Sequence, residues 1–128
     1  MVWKAIAPFD SIGRWHSDVV SCTLEDGGKF RRLTTRSGVQ IFERLVRVDP
    51  EARVLAYSII ESPLPIRKHE ATMTVRPEGN RSIVDWRCEF ESAGPPDQEL
   101  VPIFQQIFQT GLTSLKSHME TENLQRPA

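Results

Sequence analysis

The amino-acid sequence predicts an α+β domain in which one antiparallel sheet covers a long C-terminal helix. Three observations lead to this prediction. Residues 2–15 carry large apolar residues at helical spacing, residues 18–91 form short extended runs, and residues 99–121 return to a helical period. The connections between the runs are short, which favours antiparallel pairing because parallel strands need crossovers of a dozen or more residues.

Length, composition and charge set the class of protein. The chain has 128 residues, of which 39% are hydrophobic and 26% charged, and its net charge is −1. These values are typical of one globular domain over residues 1–128. The balanced charge does not favour nucleic acid as a partner. No apolar run reaches the roughly 18 residues of a membrane span and no signal-peptide pattern is present, so we expect a cytoplasmic protein.

The cysteines and glycines give no sign of a metal or a cofactor. Cys22 and Cys88 lie among apolar residues without CxxC or histidine-rich spacing, so neither a disulfide framework nor structural zinc is expected. The glycine pair at residues 27–28 is not followed by a helix that would make it a phosphate-binding loop. We therefore expect neither a metal nor a cofactor.

The N-terminal segment is predicted to form two short helices. Its large apolar residues recur at helical spacing: Trp3, Ile6, Phe9, Ile12 and Trp15. Pro8 and Gly13 interrupt this spacing, so two pieces fit better than one long helix. About six strands follow, as the runs SDVVSCTLE, KFRRLTT, VQIFERLVRV, RVLAYSIIE, RKHEATMTV and RSIVDWRCEF.

Turn residues predict how these strands pair. The three-residue loop at residues 36–38 ends in glycine and sets Leu33 opposite Ile41 and Arg31 opposite Glu43. A turn at residues 77–80 predicts the pairs Met73 with Val84, Ala71 with Trp86 and His69 with Cys88. A five-residue connection, preferred to a four-residue one, predicts the pairs Leu45 with Leu55, Glu43 with Tyr57 and Ile41 with Ile59. Each register keeps the apolar residues on one face, the core face.

The C-terminal helix is predicted to begin near residues 99–101 and to end near Thr121, because Pro102 is tolerated only in a first turn. The residues expected to pack on the sheet are Ile103, Phe104, Ile107, Phe108 and Leu115. Gly111 in this apolar stripe costs about 1 kcal/mol relative to Ala, which indicates close approach of the sheet or open volume. Together the elements form a helix-grip arrangement.

Short motifs along almost the whole chain resemble those of a known superfamily. They are Trp15-His16, Ser21-Cys22, Gly28 with Arg31, Glu43-Arg44-Leu45, Asp49, Tyr57 to Pro65, Trp86, and Gly111-Leu112 with Leu115-Lys116. In this order they resemble the polyketide cyclase/dehydrase-like branch of the SRPBCC superfamily. That group is related to START domains, birch-pollen-allergen-like proteins and plant abscisic-acid receptors. The resemblance implies a ligand cavity between the sheet and the C-terminal helix, and the family name does not by itself define an activity.

The chain departs from the family pattern in its first strand. The family usually has a strand before the first helix, between the strand near residues 18–24 and the last strand near residues 82–91. Here the chain starts inside that helix. The two strands are then expected to pair directly, to pair with a second chain in a homodimer, or to leave backbone groups open, unless a start codon lies upstream. His69 also stands where family members commonly carry Tyr, and the loop at residues 36–38 is shorter than the gating loop of the hormone receptors.

Arg31 and Glu43 are the first candidate polar groups of a site. They are predicted to face inward, where charges are costly unless they are paired or solvated. Two interpretations remain open. The residues form a structural ion pair, or Arg31 donates to a carboxylate, carbonyl or hydroxyl of a ligand. The resemblance implies that the positions of His16, Arg31 and Glu43 lie in or near the cavity.

His16 and His69 are the candidate catalytic residues, because imidazole can exchange a proton near neutral pH. In cyclase or dehydratase chemistry one of them would take a proton next to a carbonyl while Arg31 stabilises the enolate oxygen. A hydrogen-bonded core or rim histidine is the favoured interpretation of both. A metal site made by His16, His69 and Glu43 is not expected, since their spacing is not diagnostic.

The function predicted first is binding of a small amphipathic or hydrophobic ligand of polyketide, lipid or aromatic type. The predicted ligand-binding residues are His16, Arg31, Leu33, Glu43, Tyr57, Ile59, His69, Trp86, Phe104, Ile107 and Gly111. The alternatives are a cyclase or dehydratase using the same cavity and an accessory interaction protein. An enclosed void above about 300 Å³ would favour the ligand site, and a filled core would favour the interaction protein.

Overall fold

The structure, a computed structural model, describes residues 2–125 and the side chains of residues 2–121. It contains α1 (Val2–Ile6), α2 (Ile12–Trp15), β1 (Val19–Glu25), β2 (Phe30–Thr35), β3 (Gln40–Asp49), β4 (Val54–Glu61), β5 (Ile66–Glu78), β6 (Arg81–Ser92) and α3 (Asp97–Gln125). A short 3₁₀ turn at Asp26–Gly28 joins β1 to β2. The prediction of an α+β helix-grip fold with two short N-terminal helices is confirmed.

The N-terminal segment packs into the core through its large apolar residues. All of the residues that recur at helical spacing are buried: Trp3, Ile6, Phe9, Ile12 and Trp15. They belong to the same hydrophobic cluster as Leu33, Leu55 and Met73 of the sheet. The two short helices form as predicted, and Phe9 is buried from the turn between them rather than from a helix.

The six strands form one antiparallel sheet in the order β1-β2-β3-β4-β5-β6. Its two edges are β1 and β6, which do not pair with each other in residues 2–125. Direct pairing of these two strands, one of the outcomes expected for a chain without the first strand, is therefore wrong. Their outer edges carry backbone groups with no strand beside them within the described chain.

The register between β2 and β3 is the predicted one, with Arg31 opposite Glu43 and Leu33 opposite Ile41. The register between β5 and β6 differs from the prediction by two residues. The observed pairs are Met73 with Trp86, Ala71 with Cys88 and Val75 with Val84. The strands are joined after the pair Glu78 and Arg81, so the turn is shorter than the predicted turn at residues 77–80. A shift of two residues keeps each side chain on its predicted face.

The predicted register between β3 and β4 is also wrong. Leu45 pairs with Tyr57 and Glu43 with Ile59, and the last pair before the turn is Asp49 with Val54. The connection therefore consists of the four residues 50–53. An irregularity in the ladder between Leu45 and Arg47 shifts the register by one residue, so that Leu45 and Glu43 lie opposite Tyr57 and Ile59.

Helix α3 starts at Asp97, two residues before the predicted start, so Pro102 lies beyond its first turn. The residues buried on its sheet side are Leu100, Phe104, Gly111, Leu115 and Met119. Ile103 is 39% exposed, so its predicted packing on the sheet is wrong. One residue turns a helix by about 100°, which places Ile103 beside the buried stripe rather than within it. Among residues 2–125 no helix combines the length and apolar character needed to span a membrane.

Candidate functional site

A cavity of about 100 Å³ lies between the sheet, the end of α2 and helix α3. Nine of the eleven residues predicted to bind a ligand line it: His16, Leu33, Glu43, Tyr57, Ile59, His69, Trp86, Phe104 and Ile107. Arg31 and Gly111 are not part of its wall. The volume is below the roughly 300 Å³ that the sequence-based expectation set for a ligand site.

The wall also contains residues that were not predicted. They are Ile12, Asp18, Val19, Thr35, Ile41, Leu64 and Phe108. Phe108 belongs to the apolar stripe of α3 and Ile41 is the predicted partner of Leu33, so their places on the wall follow from patterns already present in the sequence. Leu64 lies in the connection between β4 and β5, where no periodic pattern indicates which side chains turn inward.

Arg31 forms an enclosed ion pair with Glu43. Its Nε and Nη2 lie 2.8 and 2.7 Å from Oε1 of Glu43, and the two residues are 2% and 4% exposed. Nη1 donates a hydrogen bond of 2.9 Å to the carbonyl of Phe9. The guanidinium also lies 4.2 Å from the centre of the Phe9 ring and 4.7 Å from that of Tyr57. These contacts use the donors of Arg31 outside the cavity, and they join the N-terminal segment to the sheet.

Glu43 is the charged side chain of this pair that reaches the cavity. Burial raises its pKa, and the charge and hydrogen bonds of Arg31 act in the opposite direction. The closest contacts of Arg31 fall on Oε1. A carboxylate has about four acceptor sites, so Glu43 keeps capacity to accept a hydrogen bond on the cavity side.

An irregularity in β5 directs His69 into the core. The β5–β6 ladder is interrupted between Arg67 and Glu70, and Lys68 has a φ of 52°, which is uncommon for a residue with a side chain. Ser58 donates its hydroxyl hydrogen to the carbonyl of His69. The backbone N–H of Ile59 donates to Nδ1 of the ring at 3.0 Å.

These contacts determine what His69 offers to the cavity. Because Nδ1 accepts a hydrogen bond, the neutral ring carries its proton on Nε2. No hydrogen bond from Nε2 to another residue is present among the described residues, and His69 lies on the cavity wall. The ring stacks on Phe104 with centres 5.5 Å apart, which fixes its plane. His69 is therefore a rigid, neutral donor on the same cavity wall as the acceptor Glu43.

Both ring nitrogens of His16 are engaged. Its Nε2 lies 3.1 Å from the carbonyl of Ile107 on α3, and its Nδ1 accepts the backbone N–H of Asp18 at 3.2 Å. An open groove of about 410 Å³ outside the cavity is also lined by His16, Asp18 and Ile107. The hydrogen bond between His16 and Ile107 thus lies where this outer groove and the cavity meet.

Tyr57 and Trp86 form the aromatic part of the wall. Trp86 Nε1 donates to the Tyr57 hydroxyl oxygen at 3.0 Å, and Trp86 stacks on Phe108 with centres 4.3 Å apart. Burial raises the pKa of Tyr57, so its hydroxyl stays neutral at physiological pH. The cyclase hypothesis pairs one of the two histidines with Arg31, and this pair is not assembled on the cavity wall, because both histidines line the cavity and Arg31 does not.

Gly111 provides close approach rather than open volume. A Cβ on this residue would lie 2.6 Å from Cδ2 of His16 and 2.7 Å from Cζ3 of Trp86, and both rings are held by hydrogen bonds. Small-to-large changes in such packing cost about 1–3 kcal/mol. This distance explains why α3 carries a glycine in its apolar stripe.

We expect Gly111→Ala to lower the thermal stability of the protein, although alanine is the better helix former by about 1 kcal/mol. The added methyl group must displace His16 or Trp86 from its position. Differential scanning calorimetry measures the effect. Ser117→Ala, on the exposed side of the same helix, is the control and should be neutral or slightly stabilising. A stabilised Gly111→Ala protein would contradict the packing described here.

The buried histidines should make stability depend on pH. Burial lowers the pKa of His69 to about 4, and it also lowers that of His16. Between pH 4 and about pH 6.5, His69 is protonated in the unfolded chain but not in the folded protein. The free energy of unfolding therefore rises with pH over this range. Urea unfolding at pH 7 and pH 5 should show a larger loss on acidification for the native protein than for His69→Gln. Equal losses in both proteins would mean that His69 is not buried in its neutral form.

Comparison with known proteins agrees with this architecture. Residues 1–120 match the family model described as "Polyketide cyclase / dehydrase and lipid transport". No protein with a curated description is detectably similar to the chain.

Solved structures from three bacteria share the fold. An uncharacterized protein from Bacillus thuringiensis is 32% identical with a TM-score of 0.84, over 89% of this chain and 85% of that one. The protein XoxI from Bacillus cereus is 31% identical with a TM-score of 0.87, over 94% of this chain and 87% of that one. A protein from Thermobifida fusca is 29% identical with a TM-score of 0.79, over 99% of this chain and 87% of that one. The predicted resemblance is confirmed, and the chain belongs to the polyketide cyclase/dehydrase and lipid transport family.

Proposed function

We propose that the protein binds a small amphipathic ligand in the cavity between the sheet and α3. The description of the family, which includes lipid transport, points to hydrophobic ligands. The observation that carries the proposal is the composition of the wall, which is mainly apolar but contains the donor His69 and the acceptor Glu43. A few polar groups in an apolar cavity are the usual means of orienting a ligand.

The electrostatics of the wall favour a neutral polar group on the ligand. Glu43 is the charged partner that reaches the cavity, while the charge of Arg31 is already matched by Glu43 and directed to Phe9. His69 is neutral at physiological pH because burial lowers its pKa to about 4. A ligand carboxylate would meet Glu43 without a free cation to balance it. A hydroxyl group could accept from His69 and donate to Glu43.

The size of the cavity limits the ligand in its present shape. An apolar cavity of 150 Å³ is known to hold benzene, so about 100 Å³ admits a ring-sized body only if the wall yields slightly. A ligand with a longer hydrocarbon chain needs a path out of the cavity. The boundary with the outer groove, where His16 donates to Ile107, is the proposed path because the groove and the cavity share these residues.

Binding is proposed before catalysis because of the state of the two histidines. His16 uses both ring nitrogens in contacts to the backbone. The pKa of His69 near 4 makes it a weak base at neutral pH, and general bases work best with a pKa near the working pH. His16 therefore has no free ring nitrogen with which to move a proton, and His69 suits a fixed hydrogen-bond donor to a bound molecule.

Three probes of one size test the proposal: phenol, benzoate and benzene. Calorimetric titration should show the tightest binding for phenol, which alone combines an aromatic body with a neutral hydroxyl. His69→Leu should weaken phenol binding by about two- to tenfold, the value of one hydrogen bond, and leave benzene binding nearly unchanged. Val48→Ala, at an exposed position of the sheet, is the control. Tighter binding of benzoate than of phenol, or no binding of any probe, would refute the proposal.

A further inference from the structure

The outer groove beside the cavity carries a cation and an anion. Its charged wall residues are Asp18 and Arg36, and both are exposed. The other wall residues have hydroxyl, amide or apolar side chains, apart from His16. Burial lowers the pKa of His16, so its ring is neutral at physiological pH. A charged ligand in this groove therefore meets Asp18 and Arg36 and no other charge of the wall.

Asp18 and Arg36 are neighbours but do not neutralise each other. The backbone N–H of Arg36 donates to the carbonyl of Asp18 at 3.0 Å, whereas Nε of Arg36 donates to the carbonyl of Ser17 at 2.6 Å. Within residues 2–121 neither side chain takes part in an ion pair. The contact with Ser17 orients the guanidinium and leaves its two Nη groups as donors. The groove thus offers a carboxylate to a cation and, separately, a guanidinium to an anion.

Asp18 lies where the groove and the cavity meet. Together with His16 and Ile107 it lines both of them, while Arg36 lines the groove and not the cavity. A ligand that extends out of the cavity along this boundary therefore passes Asp18 and then comes within reach of Arg36.

The distance along α3 suits an aromatic ring with a short arm. Phe104 stacks on His69 in the cavity, Ile107 lies at the boundary and Thr110 lies in the groove. At 1.5 Å per residue the positions from Phe104 to Thr110 are spread over about 9 Å of the helix. A phenol ring that carries a short aliphatic arm opposite its hydroxyl spans such a distance.

We propose that the ligand is a zwitterionic para-hydroxyphenyl amino acid, such as tyrosine. Its hydroxyl lies between His69 and Glu43, its ammonium group contacts Asp18, and its carboxylate accepts hydrogen bonds from the Nη groups of Arg36. This inference rests on the function proposed above and adds the outer groove as a second part of the same site. The ligand carboxylate stays outside the cavity, where it meets a cation and not Glu43.

A matched set of ligands tests the proposal. Tyrosine carries both charges, tyrosine amide carries the ammonium group alone, N-acetyltyrosine carries the carboxylate alone, and phenol carries neither. Titration followed by NMR at low salt should show tyrosine binding about fivefold or more tightly than phenol, the value of two exposed ion pairs. The two singly charged ligands should fall between them. High salt should reduce the advantage of tyrosine and leave phenol binding unchanged, because salt screens exposed charges.

Variants of the groove assign the two charges. Asp18→Asn should lower the affinity for tyrosine to that for N-acetyltyrosine, and Arg36→Gln should lower it to that for tyrosine amide. Arg36→Lys keeps the positive charge and should bind tyrosine more tightly than Arg36→Gln does. Arg44→Gln is the control, because Arg44 is an exposed arginine of β3 outside the groove. Unchanged phenol binding in every variant shows that the cavity is intact.

The outcomes separate this inference from the function proposed above. Phenol binding with tyrosine no tighter than phenol would overturn the inference and leave the cavity proposal standing. Equal affinity for tyrosine in the native protein, Asp18→Asn and Arg36→Gln would do the same. No binding of either phenol or tyrosine would overturn both.

Discussion

Arg31→Met is expected to lower the free energy of unfolding by about 3–5 kcal/mol, the cost of leaving a buried charge without its partner. Glu43 is 4% exposed, and the variant removes both the Nε and the Nη2 contacts to its carboxylate. The carbonyl of Phe9 loses its donor in the same step. Urea denaturation at neutral pH measures the change.

The double variant Arg31→Met/Glu43→Leu separates the unpaired charge from the loss of contacts. It removes both charges, and we expect it to be more stable than Arg31→Met alone, since apolar replacement of a whole buried pair is often neutral or stabilising. Arg76→Met is the control, because it breaks the exposed pair with Asp85 and should change stability by less than about 1 kcal/mol. A double variant that is no more stable than Arg31→Met would contradict this account.

Phe104→Ala is expected to lower the free energy of unfolding by about 3–5 kcal/mol, as large-to-small changes of buried aromatic residues do. Phe104 is 5% exposed, and its ring centre lies 4.9 Å from that of Phe90 and 5.5 Å from that of His69. The change would remove the ring contacts that Phe104 of α3 makes with β5 and β6. Thermal and urea unfolding both measure it.

Ile103→Ala is the matched control for Phe104→Ala. The residue is the direct neighbour of Phe104 on α3 and is 39% exposed, so its truncation should cost less than about 1 kcal/mol. Equal losses in the two variants would show that the buried side of the helix is not the one described.

The sequence predicted the class of fold and the buried faces better than the strand registers. The loop at residues 36–38 is short and ends in glycine, so it allowed one pairing, and Arg31 indeed lies opposite Glu43. At the β3–β4 and β5–β6 connections, a slip of two residues leaves every side chain on the same face. Alternation of apolar and polar residues cannot distinguish such registers, and the irregularity between Leu45 and Arg47 has no signal in that pattern.

The candidate site shows the same limit. Apolar alternation and helical spacing placed Leu33, Ile59 and Phe104 near one another, because both patterns report which side of an element faces the core. The orientation of Arg31 could not be predicted in this way. It depends on the carbonyl of Phe9, which is 22 residues away along the chain and offers no side-chain signal.

The attachment of the N-terminal segment to the sheet has a consequence for the order of folding. Residues 2–15 precede the sheet and α3 in the chain, but the guanidinium that holds Phe9 belongs to β2, and Ser114 of α3 donates to the carbonyl of Trp15. The hairpins of the sheet connect neighbours in sequence and close early, whereas this segment has to wait for α3. Its tryptophans, Trp3 and Trp15, therefore reach their buried positions only when α3 has packed against the sheet.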